Sequence, residues 1–164
     1  NGTSTHLAAE MFKQAAGIYV THIPYRGSSP AVADVIAGQL PLLVDSVASS
    51  TAQVRAGKLK ALATTSPRRL AVLPDLPTVA ESGYPGFEST AWVGLLAPAG
   101  TPKAIIEQLN AQVLKVMALP ETRERMAGFG AEITTSTPER FAAHIRSEID
   151  KLGKVIRDAR IKVD

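Results

Sequence analysis

Val20-Thr21-His22-Ile23-Pro24-Tyr25-Arg26-Gly27-Ser28-Ser29-Pro30 changes character midway, and that change decides the fold class. Val20–Ile23 is rich in β-branched residues and predicts a strand, which Pro24 ends because it has no N–H for a ladder. Gly27-Ser28-Ser29-Pro30 then carries the signals of a helix start, small polar residues for the cap and proline in the first turn. Val32, Val35 and Ile36 recur at helical spacing until Gly38 stops the run. Upstream, Thr3 or Ser4 caps a helix running to Ala16, with Leu7, Met11 and Ala15 on one face and Gly17 closing it. Downstream, Leu42–Val44 predicts a buried strand, Asp45-Ser46 leads into a third helix ending at Gly57, and Leu59–Ala63 predicts another strand. Strands that alternate with helices of this length imply an α/β fold built on a parallel sheet with right-handed crossovers.

Residues 66–90 break the rhythm. Pro67, Pro74, Pro77, Gly83, Pro85 and Gly86 leave room only for short helical turns. Ala91–Leu96 then predicts a strand, and Pro98-Ala99-Gly100 a turn. Thr101-Pro102 opens a helix whose apolar stripe is Ile105, Ile106, Leu109, Val113, Val116 and Met117. Pro120 starts a further helix closed near Gly128–Gly130, and Glu132–Thr134 predicts a short strand. Thr137-Pro138 opens the longest helix, with Phe141, Ile145, Ile149, Leu152 and Ile156 on its face. The composition shift near residues 86–92 is the candidate boundary between two lobes.

Composition narrows the function. The chain has 164 residues, 45% of them hydrophobic and 20% charged, which suits a domain with a real core rather than a disordered segment. Its net charge of +3 is spread over single lysines and over pairs with acids, as in Glu121, Arg123, Glu124 and Arg125. Only Arg68-Arg69 forms a tight basic pair, so no stripe of the kind that binds nucleic acid is present. There is no cysteine, which removes disulfides, thiolate metal sites and a cysteine nucleophile. No apolar run approaches the roughly 20 residues that span a bilayer. The abrupt opening at Asn1-Gly2-Thr3-Ser4-Thr5, with neither initiator methionine nor signal peptide, leads to the expectation that the chain is a piece of a longer one.

Three junctions are rich in small polar residues: Gly2-Thr3-Ser4-Thr5, Gly27-Ser28-Ser29, and Asp45-Ser46 with Ser49-Ser50. In an open parallel sheet such junctions share the carboxyl edge, where ligands bind. Each also presents a helix N-terminus, whose free N–H groups and dipole suit a carboxylate or phosphate, with hydroxyls as further donors. Plain helix capping accounts for the same residues taken singly. On the sheet-edge reading Ser4, Thr5, Ser28 and Ser46 face a common cleft. Ser4, His6 and Asp45 supply the residue types of a hydrolytic triad, but no Gly-x-Ser-x-Gly elbow is present. His22 and His144 lack partners at metal-ligand spacing, and the glycines form neither a phosphate loop nor a dinucleotide fingerprint, so no metal, nucleotide or covalent cofactor is expected. Trp92 is a candidate to stack on a ligand, although a lone tryptophan in an apolar strand is more often core.

The linear pattern is more specific than any of these. Asn1-Gly2-Thr3-Ser4-Thr5-His6-Leu7, His22-Ile23-Pro24-Tyr25-Arg26-Gly27 and Gly57-Lys58-Leu59-Lys60-Ala61-Leu62-Ala63 follow one another in order. Leu73-Pro74-Asp75-Leu76-Pro77-Thr78-Val79-Ala80-Glu81-Ser82-Gly83 and Trp92-Val93-Gly94-Leu95-Leu96-Ala97-Pro98-Ala99-Gly100-Thr101-Pro102 continue the series. Together they resemble the substrate-binding proteins of tripartite tricarboxylate transporters, also called the Bug family, over essentially the whole chain.

The resemblance implies a two-lobed Venus-flytrap fold of the type II periplasmic binding class, with the N-terminal half absent. Residues 1–88 would form most of one ligand-binding lobe, a strand near Trp92 would cross the hinge, and 89–164 would complete the other lobe. It also implies an exported, non-enzymatic receptor that binds a small organic acid and delivers it to a membrane permease. The residues that fall where the family lines its cleft are Gly2, Thr3, Ser4, Thr5 and His6, then Tyr25, Arg26, Gly27 and Ser28, then Asp45 and Ser46. Arg26 and Ser28 stand where lysine and a small apolar residue or glycine are frequent, so the ligand class does not carry over from any one relative. A hydrolase or transferase using Ser4 or His6, and an orphan sensor without a permease, are the competing classes. Uncovered apolar stripes on the 101–117 and 137–161 helices lead to the further expectation that the fragment self-associates or folds those helices back on residues 1–90.

Overall fold

The computed structural model describes residues 1–162 and contains six helices. They are α1 Ser4–Ala16, α2 Ser28–Ile36, α3 Val47–Arg55, α4 Lys103–Ala118, α5 Pro120–Gly128 and α6 Pro138–Asp158. Each forms where capping and apolar spacing place a helix. Thr3 caps α1 through its side-chain oxygen, Gly17 ends it in the left-handed conformation, and Pro120 sits in the first turn of α5. No helix among the described residues is long and apolar enough to cross a membrane.

The chain divides into two compact units, one of residues Asn1–Ala91 joined by the residues from Val155 on, the other Trp92–Lys154. Val163 and Asp164, the end of the expected second segment, lie outside the described residues.

The first unit holds the core. The inward face of α1 buries His6, Leu7, Ala8 and Glu10, and α2 buries Ala31 and Val32. Phe12 meets Tyr84 and Phe87 edge-to-face, at 5.5 and 6.3 Å between ring centres. Val79, Phe87 and Val155 complete the apolar set. The proline-rich stretch between residues 66 and 90 is thus the floor on which α1 rests, and hydrogen bonds replace a helix or sheet within it. Thr64 N–H donates to Pro77 O and Val79 N–H to Thr64 O, both at 2.9 Å, which makes a parallel bridge between Thr64 and Thr78. Thr78 and Glu81 cap each other: the Thr78 amide donates to Glu81 Oε2 at 2.8 Å and the Glu81 amide to Thr78 Oγ1 at 3.0 Å. Arg69 Nε completes the corner on the Glu81 carboxylate, at 3.0 and 3.2 Å. These partners hold the Glu81 carboxyl below its usual range, the Thr78 amide first and Arg69 second.

The second unit is open. None of the residues Trp92–Lys154 is buried. Trp92 meets Phe141 and His144 edge-on at 5.5 and 5.1 Å, and α4 packs on α5. The Phe141 ring lies where a β-carbon on residue 94 would be, 2.1 Å from its Cζ, so glycine is needed there for close packing. Ile105, Leu109, Val116 and Ile149 remain exposed on the helix faces that were expected to need a cover.

The expected strands are corrected. Residues 20–23, 42–44, 59–63, 91–96 and 132–134 carry no strand, and among the described residues only isolated bridges occur, Thr64 with Thr78 and Leu70 with Leu73. The sequence supplies β-branched, apolar residues at these positions, but a ladder also needs a neighbouring extended backbone about 4.8 Å away. Among the described residues these segments have no such neighbour, and several of their apolar side chains are exposed, Val93 at 99%. The sheet edge expected to gather Ser4, Thr5, Ser28 and Ser46 therefore has no sheet to refer to among the described residues.

Candidate functional site

All three polar junctions lie in the first unit. At the first, the residues before α1 satisfy one another. The His6 amide donates to Thr3 Oγ1 at 3.3 Å, the Thr3 and Thr5 hydroxyls sit 3.1 Å apart, and the Gly2 amide donates to His6 Nδ1 at 3.1 Å. His6 stacks on His22 with ring centres 3.8 Å apart and planes 12° from parallel. His22 Nε2 lies 3.3 Å from Asn1 Oδ1. Partial removal from water lowers the pKa of both rings from the ordinary histidine value, and for His6 the neighbouring His22 adds to the effect. The buried Glu10 faces His6 Nε2 at 3.7 Å and Lys13 Nζ at 2.7 Å. Neither His6 nitrogen thus turns to the Ser4 hydroxyl as a triad would require: one receives the Gly2 amide and the other faces Glu10. An open depression beside these groups is also lined by Ala159, Arg160, Ile161 and Lys162.

The second and third junctions are joined. Ser28 Oγ donates to Asp45 Oδ1 at 2.5 Å, and Ser50 Oγ donates to Asp45 Oδ2 at 2.6 Å. The Tyr25 hydroxyl donates to Asp34 Oδ2 at 2.5 Å, and this bond holds the phenol above its ordinary pKa. Ser46 caps α3, accepting the Ser49 amide at 3.3 Å, with its oxygen 2.7 Å from Ser49 Oγ. α2 and α3 pack together, which brings Ser28 to Asp45.

The three helix starts differ in one respect. α1 and α3 are closed by a side-chain oxygen, from Thr3 and Ser46. α2 has Gly27 at its cap, with φ 106° and no side-chain hydrogen bond. That φ is open to glycine and strained for other residues. The first backbone N–H groups of α2 thus have no side-chain acceptor, and the exposed Arg26 precedes them. Such a helix start accepts an anion.

Capping and hydrogen bonding account for Thr3, Ser28, Asp45, Ser46 and Tyr25 individually, and only Ser28 and Asp45 of the expected site residues meet across two junctions. Sequence reasoning left out Asp34, Ser50 and Glu10 as partners. Ser50 was visible as part of the Ser49-Ser50 pair, whereas Asp34 and Glu10 sit within helices and carry no local signal. One chemical expectation is reversed. The hydroxyls of Ser28 and Ser50 were expected to offer donors to a ligand, yet both give their protons to Asp45, and the Tyr25 hydroxyl gives its proton to Asp34.

Comparison with known proteins covers the same length. The model of the family described as "Tripartite tricarboxylate transporter family receptor" matches residues 1–161. A Pseudomonas protein, "UPF0065 protein in tcbD-tcbE intergenic region", is 40% identical over 164 residues, 99% of this chain and 49% of that protein. The solved structure "R. palustris Rpa4515 with adipate" superposes with a TM-score of 0.85 at 34% identity, covering 98% of this chain and 54% of that one. "Structure of periplasmic binding protein BugD" gives 0.81 at 37% identity, covering 98% and 55%. The chain spans about half the length of these relatives and shares the periplasmic-binding-protein fold with the solved ones.

Proposed function

Because the chain belongs to the tripartite tricarboxylate transporter receptor family, we propose that it is the ligand-contacting part of an extracytoplasmic receptor for a small organic acid. The receptor works in the periplasm and passes its ligand to the membrane permease of a tripartite transporter. The observation that carries the reading to particular residues is the uncapped start of α2 at Gly27-Ser28 beside Arg26. There a ligand carboxylate takes backbone N–H groups that no side chain among the described residues claims, with the helix dipole favouring negative charge. Gly2, Thr3, Ser4, Thr5 and His6 border the site from the first junction, and Tyr25, Arg26, Gly27, Ser28, Asp45 and Ser46 from the other two. The function is binding rather than catalysis, since His6 is engaged by Gly2 and Glu10 instead of activating a serine.

The R. palustris relative was solved with adipate, which makes adipate the first probe. Thermal unfolding of the full-length mature protein is measured with adipate, succinate and citrate in excess. A ligand at 100 times its dissociation constant adds roughly 2.7 kcal/mol of stability. Arg26→Ala weakens any acid that binds. Unfolding that is insensitive to every organic acid tried refutes the reading.

A further inference from the structure

Asn1 and Gly2 form a dipeptide in which a backbone nitrogen reaches a side-chain amide with little hindrance, because glycine has no β-carbon to shield it. Gly2 adopts φ 72°, a conformation open to glycine. Attack of that nitrogen on the Asn1 amide needs a base for the Gly2 proton and a donor for the charge that develops on the Asn1 oxygen. Both stand beside the start of α1. The Gly2 amide donates to His6 Nδ1 at 3.1 Å, so an imidazole lone pair faces the proton that must leave. His22 Nε2 lies 3.3 Å from Asn1 Oδ1, and since an amide oxygen only accepts, the ring nitrogen is the donor. The rings stack with centres 3.8 Å apart, which fixes base and donor relative to each other.

The base works only while Nδ1 is free of a proton. With Nδ1 accepting from Gly2, the His6 proton sits on Nε2, which faces Glu10 Oε1 at 3.7 Å. The other charged groups around the pair are Lys13, the Asn1 amino group, and Arg160 and Lys162 at the rim of the depression. Removal from water favours the neutral form of both rings. We propose that Asn1 is a self-modification site, where His6 as base and His22 as oxyanion donor turn Asn1-Gly2 into a succinimide and then into aspartate or isoaspartate. The Gly2 nitrogen gives its proton to His6 Nδ1 and bonds to Asn1 Cγ, while the carbonyl electron pair moves to Oδ1 against His22. The carbonyl then re-forms, and the side-chain nitrogen takes the proton from His6 and leaves as ammonia. Water opens the five-membered ring at either carbonyl, and each product carries a new carboxylate beside His22. The conversion happens once per chain and is independent of which acid the receptor holds.

The full-length receptor is incubated in neutral buffer, folded or in guanidinium chloride, and peptide mapping by mass spectrometry follows the exchange of –NH2 for –OH at Asn1. The folded protein converts faster than the denatured one. Its rate levels off above the His6 pKa, whereas the denatured rate keeps rising with hydroxide. His6→Gln keeps an acceptor for the Gly2 amide but no base, and slows the folded protein about 100-fold, the low end of what a positioned base contributes. His22→Phe keeps a ring against His6, removes the donor and slows conversion by a smaller factor; it serves if His6→Gln does not fold. Conversion no faster in the folded protein than in guanidinium chloride overturns the proposal. So does a folded rate that rises in proportion to hydroxide, or either variant converting at the native rate.

Discussion

Thr78→Val tests whether the irregular floor of the first unit is held by side-chain capping. Thr78 is 1% exposed, and its hydroxyl oxygen accepts the Glu81 amide at 3.0 Å. Valine keeps the volume and the β-branch, so no cavity opens and the backbone bonds from Thr64 to Pro77 and from Val79 to Thr64 persist. What disappears is one acceptor, and the Glu81 amide is left without it. Loss of a capping oxygen costs about 1–2 kcal/mol, and an amide left partly buried without a partner costs a similar amount, so the two figures describe one effect. With a urea slope of about 2 kcal/mol per molar, the unfolding midpoint falls by about 0.5–1 M at constant slope. Urea titration followed by circular dichroism on the full-length receptor measures it. Glu81→Gln is the companion: its side-chain oxygen still accepts the Thr78 amide, and only the exposed pairing with Arg69 is weakened, so its midpoint falls less. An unchanged midpoint in Thr78→Val, or a larger drop in Glu81→Gln, refutes the reasoning.

Two further predictions concern the histidine stack and the second unit. Both His6 and His22 have folded pKa values below the ordinary value of about 6.5, so the fold favours their neutral forms. Their contribution to stability is complete above pH 6.5 and is lost as the pH falls through that value toward the depressed ones. Glu10 and Lys13 act on both rings in opposite senses, Glu10 raising and Lys13 lowering their pKa values. His22→Phe keeps a ring against His6 but removes one titrating group, so the drop in urea midpoint between pH 7.5 and pH 5.5 shrinks; an equal or larger drop contradicts the assignment. Gly94→Ala sets a methyl 2.1 Å from Phe141 Cζ, and the ring must leave its place against Trp92. Overpacking of this kind costs about 1–3 kcal/mol, and a red shift of Trp92 fluorescence with a lower melting temperature is the expected signature.

Helices were legible because their information is local. Thr3, Gly17, Ser46, Pro120 and Pro138 each specify a helix start or end through a side chain or backbone conformation within a few residues. The strands were not, because β-branched residues at Val20–Ile23 state only a tendency. Whether a ladder forms depends on a second backbone lying alongside, and sequence periodicity carries no information about that neighbour. The same limit explains why residues 66–90, read as a break in rhythm, contain much of the core. Prolines there rule out helices and ladders, but the packing of Phe12 on Tyr84 and Phe87 joins residues far apart in sequence.

The site divides along the same line. That Ser28 and Asp45 belong to polar helix starts is written in the local sequence; what each contributes to a ligand is not. A serine at such a position is a donor or an acceptor according to where its one proton goes, and that is settled by a residue on another element. Ser28 finds Asp45 across the α2–α3 contact, and Ser50 reaches the other oxygen of the same carboxylate. Two hydroxyls that a sequence reading counts as aids to binding an anion thereby become acceptors. The backbone N–H groups at the start of α2 stay without a side-chain cap, because Gly27 has no side chain to offer. Gly27 and Asp45 are therefore complementary. One leaves donors open at the helix start, and the other takes the protons of the flanking hydroxyls.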